Sequence, residues 1–171
     1  MTFANQTSMV QTKIANINIA LLVDHPDLIP TLAHWFLREW GHISANRRQA
    51  HYAKLLTENL NRDKVPFTII AFDGKYPVGT ASLDANDLDT QSELTPWLAS
   101  VVVAPEYRGK GIASILIKHI ENEAYKMGIR TLYLWTEDAD ALFLKLGWRH
   151  LDKRRYHDTD IMVMEKKLES V

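Results

Sequence analysis

The segment WLASVVVAPEYRGKGIASILIKHI, Trp97 to Ile120, limits what this chain can fold into more than any other stretch. Its first part, Trp97 to Val103, is rich in β-branched residues and reads as a strand, stopped by Pro105, which has no N–H to give to a ladder. Ile112, Ile115, Leu116, Ile120, Ala124 and Met127 then recur at three- and four-residue intervals, the period of a helix with one apolar face. Gly128 sits where such a helix is usually closed by a left-handed residue. TLYLW, Thr131 to Trp135, follows as a strand, so this part of the chain is one β-α-β unit.

Between that strand and that helix lies Tyr107-Arg108-Gly109-Lys110-Gly111. The chain has seven glycines, and two of them fall within three residues here, flanked by cations. Glycine costs a helix about 1 kcal/mol relative to alanine, so a helix that starts this way needs a local reason. A plain turn is one reason. The other is a bound anion. A helix N-terminus leaves its first N–H groups unpaired and carries roughly half a positive charge, and glycine lets a ligand approach those groups closely. A strand, a short turn, a glycine-rich helix start and flanking Arg108 and Lys110 make a site suited to a phosphate or diphosphate.

The remaining elements surround this unit. Ile17 to Val23 reads as a strand, and Asp24 with Pro26 as the N-cap and first turn of a helix carrying Leu28, Leu32, Trp35 and Phe36 on one face. A second helix is expected over Arg47 to Leu60. Pro66 opens a strand, and the Asp73-Gly74 turn folds it into a hairpin with alternating Val78, Thr80 and Ser82. ALFLKLG reads as a short helix ended by Gly147, and two closing strands flank His157-Asp158. The order β-α-α-β-β-β-α-β-α-β-β gives an α/β fold with a mixed sheet and helices on its faces.

Composition narrows the function. A chain of 171 residues with 46% hydrophobic and 24% charged residues is a folded soluble protein, long enough for one domain over residues 17–171 behind a flexible tail of about sixteen residues. Twenty Lys plus Arg against 21 Asp plus Glu leave a net charge of −1, which argues against a nucleic-acid partner held by bulk positive field. The absence of cysteine excludes disulfides, thiolate zinc sites and a cysteine nucleophile, and the seven histidines lack metal-ligand spacing. No metal is expected. No stretch has the length of a signal sequence core or a membrane span, so the expected setting is cytoplasmic, without membrane contact.

Phosphate-binding designs are distinguishable by pattern. The P-loop G-x-x-x-x-G-K-[ST] is absent, and a dinucleotide fingerprint would need glycine at Ser114. Arg108-Gly109-Lys110-Gly111-Ile112-Ala113 instead resembles the R/Q-x-x-G-x-G/A signature of the GNAT acyltransferase superfamily. LASVVVAPEYRGKGIA, GIRTLYLW and ALFLKLGW stand around it as they do in that family. The motif likeness is specific from Trp97 to Trp148; in element order it runs from Ile17 to Leu168.

The resemblance implies a central, mostly antiparallel sheet with one β-α-β unit, and an acetyl-CoA-dependent N-acetyltransferase activity. In the family, the strand matching WLASVVV splays from its neighbour and pairs its exposed backbone with the pantetheine arm. Here that implies roles for the backbone of Val101, Val102 and Val103, with an N–H near Val102 or Val103 polarising the thioester carbonyl. The amides of Gly109, Lys110, Gly111, Ile112, Ala113 and Ser114 would bind the diphosphate, and Arg108 and Lys110 would add charge or hold the loop. A Tyr commonly proposed to protonate the departing sulfur is replaced by Phe143. Either the thiolate leaves unaided, or Tyr133 or Tyr156 substitutes. Some relatives place a basic Glu at what is here Trp97; Glu93 is the nearest candidate, with Glu137 and His157 behind it.

The acceptor is expected to be a primary amine, a small molecule in preference to a protein N-terminus or lysine. Trp40 and His42, between the first two helices, are the acceptor-site candidates, and Trp35 reads as core. Asp84, Asp87, Asp89 and Glu93 read as a solvated connector or as a rim that draws a cation. Lys153, Arg154 and Arg155 read as an exposed strand, and either a monomer or a homodimer is compatible with the pattern. The rival reading is a module of the same fold that holds CoA or an acyl-CoA without catalysis.

Overall fold

The computed structural model of the chain describes residues 16–88 and 93–170. Except for Asn16, the expected N-terminal tail lies outside the described residues, as does Asp89. The elements are β1 (Ile17–Leu21), α1 (Ile29–Trp40), α2 (Gln49–Glu58), β2 (Phe67–Asp73), β3 (Tyr76–Asp84), β4 (Trp97–Val103), α3 (Ile112–Lys126), β5 (Thr131–Thr136), α4 (Asp140–Lys145), β6 (Arg149–Tyr156) and β7 (Thr159–Lys167). Their order is the one the sequence predicts. They build a seven-stranded sheet in the order β1-β2-β3-β4-β5-β7-β6. Neighbours run antiparallel except β4 and β5, the two strands joined through α3.

Both faces of the sheet are covered. Ile112, Leu116, Ile117, Ile120 and Ala124 of α3 pack on Ile69, Ala71, Ala81, Leu98 and Leu134, and Phe143 of α4 joins the same core. On the opposite face Leu32, Ala33 and Phe36 of α1 meet Tyr52 and Leu56 of α2 over Ile70 and Val102. A third cluster, Ile43, Leu88, Trp97, Tyr156, Ile161 and Val163, lies beside it. Gly79 sets how close α3 comes to β3: a methyl there would stand 3.0 Å from Leu116 Cδ1 and 3.1 Å from the Val102 carbonyl.

The start of the first helix differs from expectation. The strand ends at Leu21, and Leu22–Asp24 and Pro26–Leu28 form two single 3₁₀ turns before α1 begins at Ile29. Asp24 does not cap a helix; its carboxylate pairs with the Arg62 guanidinium. Leu22, fully buried against α1, fixes the turn instead. The second helix is shorter than expected at both ends. It stops at Glu58, and Asn59 turns its side chain into the sheet toward Thr68 and Asp84. β6 is the outer strand, and its exposed Lys153 and Arg155 put charge along an edge that would otherwise template another strand.

Candidate active site

β4 and β5 pair at one position, Trp97 opposite Tyr133, and the Tyr133 N–H donates to the Pro96 carbonyl at 3.1 Å. Beyond it no ladder pair joins the two strands, so the backbone of Leu98 to Val103 that faces β5 opens into a fork. A bulge deepens the opening. Thr80 opposes Val102 and Ser82 opposes Ala99, so Ala81 faces two residues, Ser100 and Val101. Ser100 takes up the extra length with a φ of 56°, and such bulges are enriched beside active sites. The valine side chains are core: Val102 packs toward α1 and α2, Val101 and Val103 toward α3.

The glycine turn stands at the mouth of this fork. Gly109 and Gly111 have φ of 73° and 83°, conformations that favour glycine, and a Cβ on either would meet no atom within 4 Å. Open space therefore lies above both glycines. The first α3 bond runs from the Ile115 N–H to the Gly111 carbonyl, which leaves the amides of Ile112, Ala113 and Ser114 without helical partners. Arg108 holds the loop. Its Nε–H donates to the Val103 carbonyl at 3.0 Å, and its guanidinium reaches Glu39 of α1 at 3.3 Å. Lys110 lies over the Tyr107 ring, 5.0 Å from its centroid.

Fork and turn open on one cleft of about 1050 Å³. Away from the glycines it is lined by Trp40, His42, Arg47, Tyr52, Asp84, Asp87, Trp135, Glu137 and Tyr156. Arg47 donates to the Tyr156 hydroxyl at 3.0 Å, and His42 Nε2 stands 3.0 Å from Glu137. Asn59 donates to Asp84 at 2.7 Å. Burial pushes the Asp84 carboxyl up to about 6, against the pull of Asn59. Burial, and then the charge of Asp84, push Asp87 up to about 7, with the Trp135 indole and Arg47 pulling it back. Burial also raises the Tyr52 phenol above its usual range.

The residues singled out in the sequence separate here. Val101, Val102, Val103, Arg108, Gly109, Gly111, Ile112, Ala113 and Ser114 line the cleft, as do Trp40, His42 and Tyr156. Glu93 is exposed and Tyr133 packs on Trp97 with ring centroids 5.9 Å apart; neither is a lining residue. Phe143 does line it, held edge-on by Trp148 at 6.0 Å. Arg47 is an addition that the sequence reading did not place in a site, whereas Asp84 and Asp87, expected as a solvated connector or a cation-drawing rim, line the cleft. One signal for Asp84 was present: it continues the Thr80, Ser82 alternation of β3, whose polar members are buried.

The Acetyltransferase (GNAT) family model matches residues 29–148. The chain belongs to this family. Membership places it among the acyltransferases. A curated relative, the amino-acid acetyltransferase of Ralstonia nicotianae (strain ATCC BAA-1114 / GMI1000), is 31% identical over 118 residues, 64% of this chain and 25% of the relative. The chain thus spans about a quarter of that protein. Among solved structures, an aminoglycoside 6'-N-acetyltransferase complexed with coenzyme A superposes with a TM-score of 0.71 at 17% identity, covering 90% of this chain and 98% of the other. The aminoglycoside 6'-N-acetyltransferase from Enterococcus faecium gives 0.69 at 17% identity over 90% and 98%. At such identities the likeness establishes the GNAT fold.

Proposed function

We propose that this acyltransferase moves the acetyl group of acetyl-CoA directly to a primary amine, with both substrates bound at once. The observation that carries the reading is the fork between β4 and β5, which joins a glycine-started helix to a cleft lined by carboxylates. The backbone edge at Val101 to Val103 pairs with the pantetheine arm, and the amides of Gly109 to Ser114 take the diphosphate. Arg108 serves the site by fastening the loop to β4 and α1. An N–H at Val102 or Val103 stabilises the oxyanion.

The chemistry needs a base more than an acid. An amine with a pKa near ~10.4 is mostly protonated at neutral pH, and its neutral form costs about 4–5 kcal/mol. A thiolate whose conjugate acid has a pKa near ~8.5 departs with little help. Phe143 therefore does not disable the site, although it supplies no proton. Tyr156 lies in the cleft, but its hydroxyl accepts a bond from Arg47, which gives it a positioning role on the acceptor side.

The acceptor class that fits is a small cationic amine. Relatives are named for aminoglycosides and amino acids, and Asp84 and Asp87 give the cleft negative charge suited to an ammonium. Release of free thiol from acetyl-CoA, measured with aminoglycosides, polyamines, amino acids and lysine peptides in turn, tests this. Release that requires one of the small amines is the expected result. Acetyl-CoA binding with no acceptor-dependent release would favour a non-catalytic CoA-binding module, the reading that Phe143 supports.

A further inference from the structure

Acids dominate the cleft, which is lined by Glu39, Glu58, Asp84, Asp87, Glu137 and Asp138, and two described arginines stand among them. Arg108 is committed to the glycine loop, where it holds the Val103 carbonyl and Glu39. Arg47 has no such task. It lies between α1 and α2, and its backbone N–H donates to the Ser44 carbonyl at 3.0 Å, which fixes where the side chain starts.

The Arg47 side chain is half-buried, and its Nη2–H donates to the Tyr156 hydroxyl at 3.0 Å. Tyr52 is close enough for the same guanidinium to oppose the upward push that burial gives its phenol. Both phenols are firmly held. Tyr156 is 5% exposed with its ring 5.9 Å from Trp135, and Tyr52 is 3% exposed with its ring 6.1 Å from Phe36. A phenol is neutral near pH 7, so neither balances the charge of Arg47. Among the described residues Arg47 forms no ion pair, although Asp87 is near enough to feel its field. That field also reaches His51, whose charged form is disfavoured by burial first and by Arg47 next. A guanidinium has five N–H donors in a planar fork, more than two phenols use.

We propose that Arg47 recognises a carboxylate on the acceptor, so that the amine acetylated here belongs to an amino acid or a similar zwitterion. The proposal deepens the acetyltransferase reading and rests on it. A carboxylate matches the guanidinium fork with two parallel N–H···O bonds, and such charge-assisted pairs are short and strong. A phosphate would bring a second negative charge into a cleft lined by acids, which oppose it. The ammonium of a zwitterion suits those same acids, so both ends of the molecule meet opposite charge. Tyr52 and Tyr156 position the fork. Arg47 sets which amine is chosen, by attraction to the carboxylate and by the repulsion that the acids exert when the arginine is missing.

Acceptor pairs that differ only in a carboxylate test this: L-alanine with ethylamine, and L-lysine with cadaverine. Thiol release from acetyl-CoA gives kcat/KM for each acceptor with wild type, Arg47→Gln and Arg47→Lys, and calorimetry gives the CoA affinity of each protein. In the wild type, the acid should exceed its decarboxylated partner by about tenfold or more in at least one pair, near 1.4 kcal/mol. Arg47→Gln should lower kcat/KM for that acid by about 10² and leave the partner amine within about threefold, which reverses the preference. Arg47→Lys, which keeps the charge and loses the fork, should fall between. CoA affinity should stay within about twofold in both variants. A preference for the acid below about threefold in both pairs would overturn the proposal. So would an Arg47→Gln loss shared equally by acid and amine, the mark of a merely structural residue. CoA binding by wild type without release from any of the four acceptors would overturn it too; if amines of every other class also failed, the acetyltransferase reading beneath it would fall as well. Should Arg47→Gln not fold, Arg47→Lys decides on the same pairs, with an expected loss of about threefold to tenfold on the acid alone.

Discussion

Asp84, the last residue of β3, and Trp97, the first of β4, stand opposite each other in the antiparallel ladder. Trp97 is fully buried and its indole N–H donates to the Leu94 carbonyl at 2.6 Å. The strand position where the family resemblance would put a carboxylate is thus filled by a core side chain. Its cross-strand partner, Asp84, carries a carboxylate that lines the cleft.

Trp97 also closes the base of the fork, since it pairs with Tyr133 where β4 and β5 last meet. Replacing it with alanine removes a fully buried indole and should cost about 3–5 kcal/mol. Urea unfolding followed by far-UV circular dichroism measures this as a lower midpoint. A loss below 1 kcal/mol would mean that the base of the fork is held elsewhere.

The acids give stability a pH signature. Both carboxyls have folded-state pKa values above the usual 3.8, Asp84 at about 6 and Asp87 at about 7. Between these limits the folded state binds more protons than the unfolded one, so their contribution to stability falls as pH rises from about 4 to 7. Asp87→Asn should therefore raise Tm at pH 8 relative to wild type, and the gain should shrink toward pH 4. Thermal melts of the two proteins across that range check the sign. An equal difference at every pH would contradict it.

Gly111 separates ligand binding from folding. A Cβ there meets no atom within 4 Å, but valine must adopt a φ of 83°. That strain costs about 1–2 kcal/mol, whereas a side chain in the diphosphate position should weaken acetyl-CoA by about a hundredfold or more, near 3 kcal/mol. Calorimetry with acetyl-CoA, beside a melt, resolves the two.

On α3, Glu121 satisfies two groups at once. It accepts from Lys166 Nζ at 2.7 Å and from the Trp148 indole at 2.9 Å, with its side chain 11% exposed. Glu121→Ala leaves the indole without an acceptor and the lysine with the Leu146 carbonyl alone, and should cost about 1–3 kcal/mol. Glu121→Gln, which keeps an acceptor for Trp148, should cost less. The ranking is read from denaturant midpoints.

The donor half of the site was legible because its signals are local. Valines, Pro105, two glycines and a 3.6-residue repeat fall within one continuous stretch, and each forces its own element. The acceptor half was not, because its contacts span the chain. Asp84 is drawn inward by Asn59, 25 residues away, and Arg47 is positioned by Tyr156, 109 residues away. In sequence the acidic segment reads as a solvated connector or a cation-drawing rim, and what decides its path is fully buried Leu88, which pulls its backbone onto Trp97 and Ile161. The start of the first helix escapes a local reading for a related reason. Asp24 and Pro26 make a sound local start signal, but a long-range pair with Arg62 claims the carboxylate.

The central claim is that bare amides at the start of α3, beside the open edge of β4, receive the diphosphate of coenzyme A. A crystal structure of the protein soaked with coenzyme A tests it most directly. The diphosphate should lie on the amides of Gly109, Gly111, Ile112 and Ala113, with the pantetheine arm along Val101 to Val103. Coenzyme A bound with its diphosphate elsewhere, and those amides facing solvent, would contradict the account.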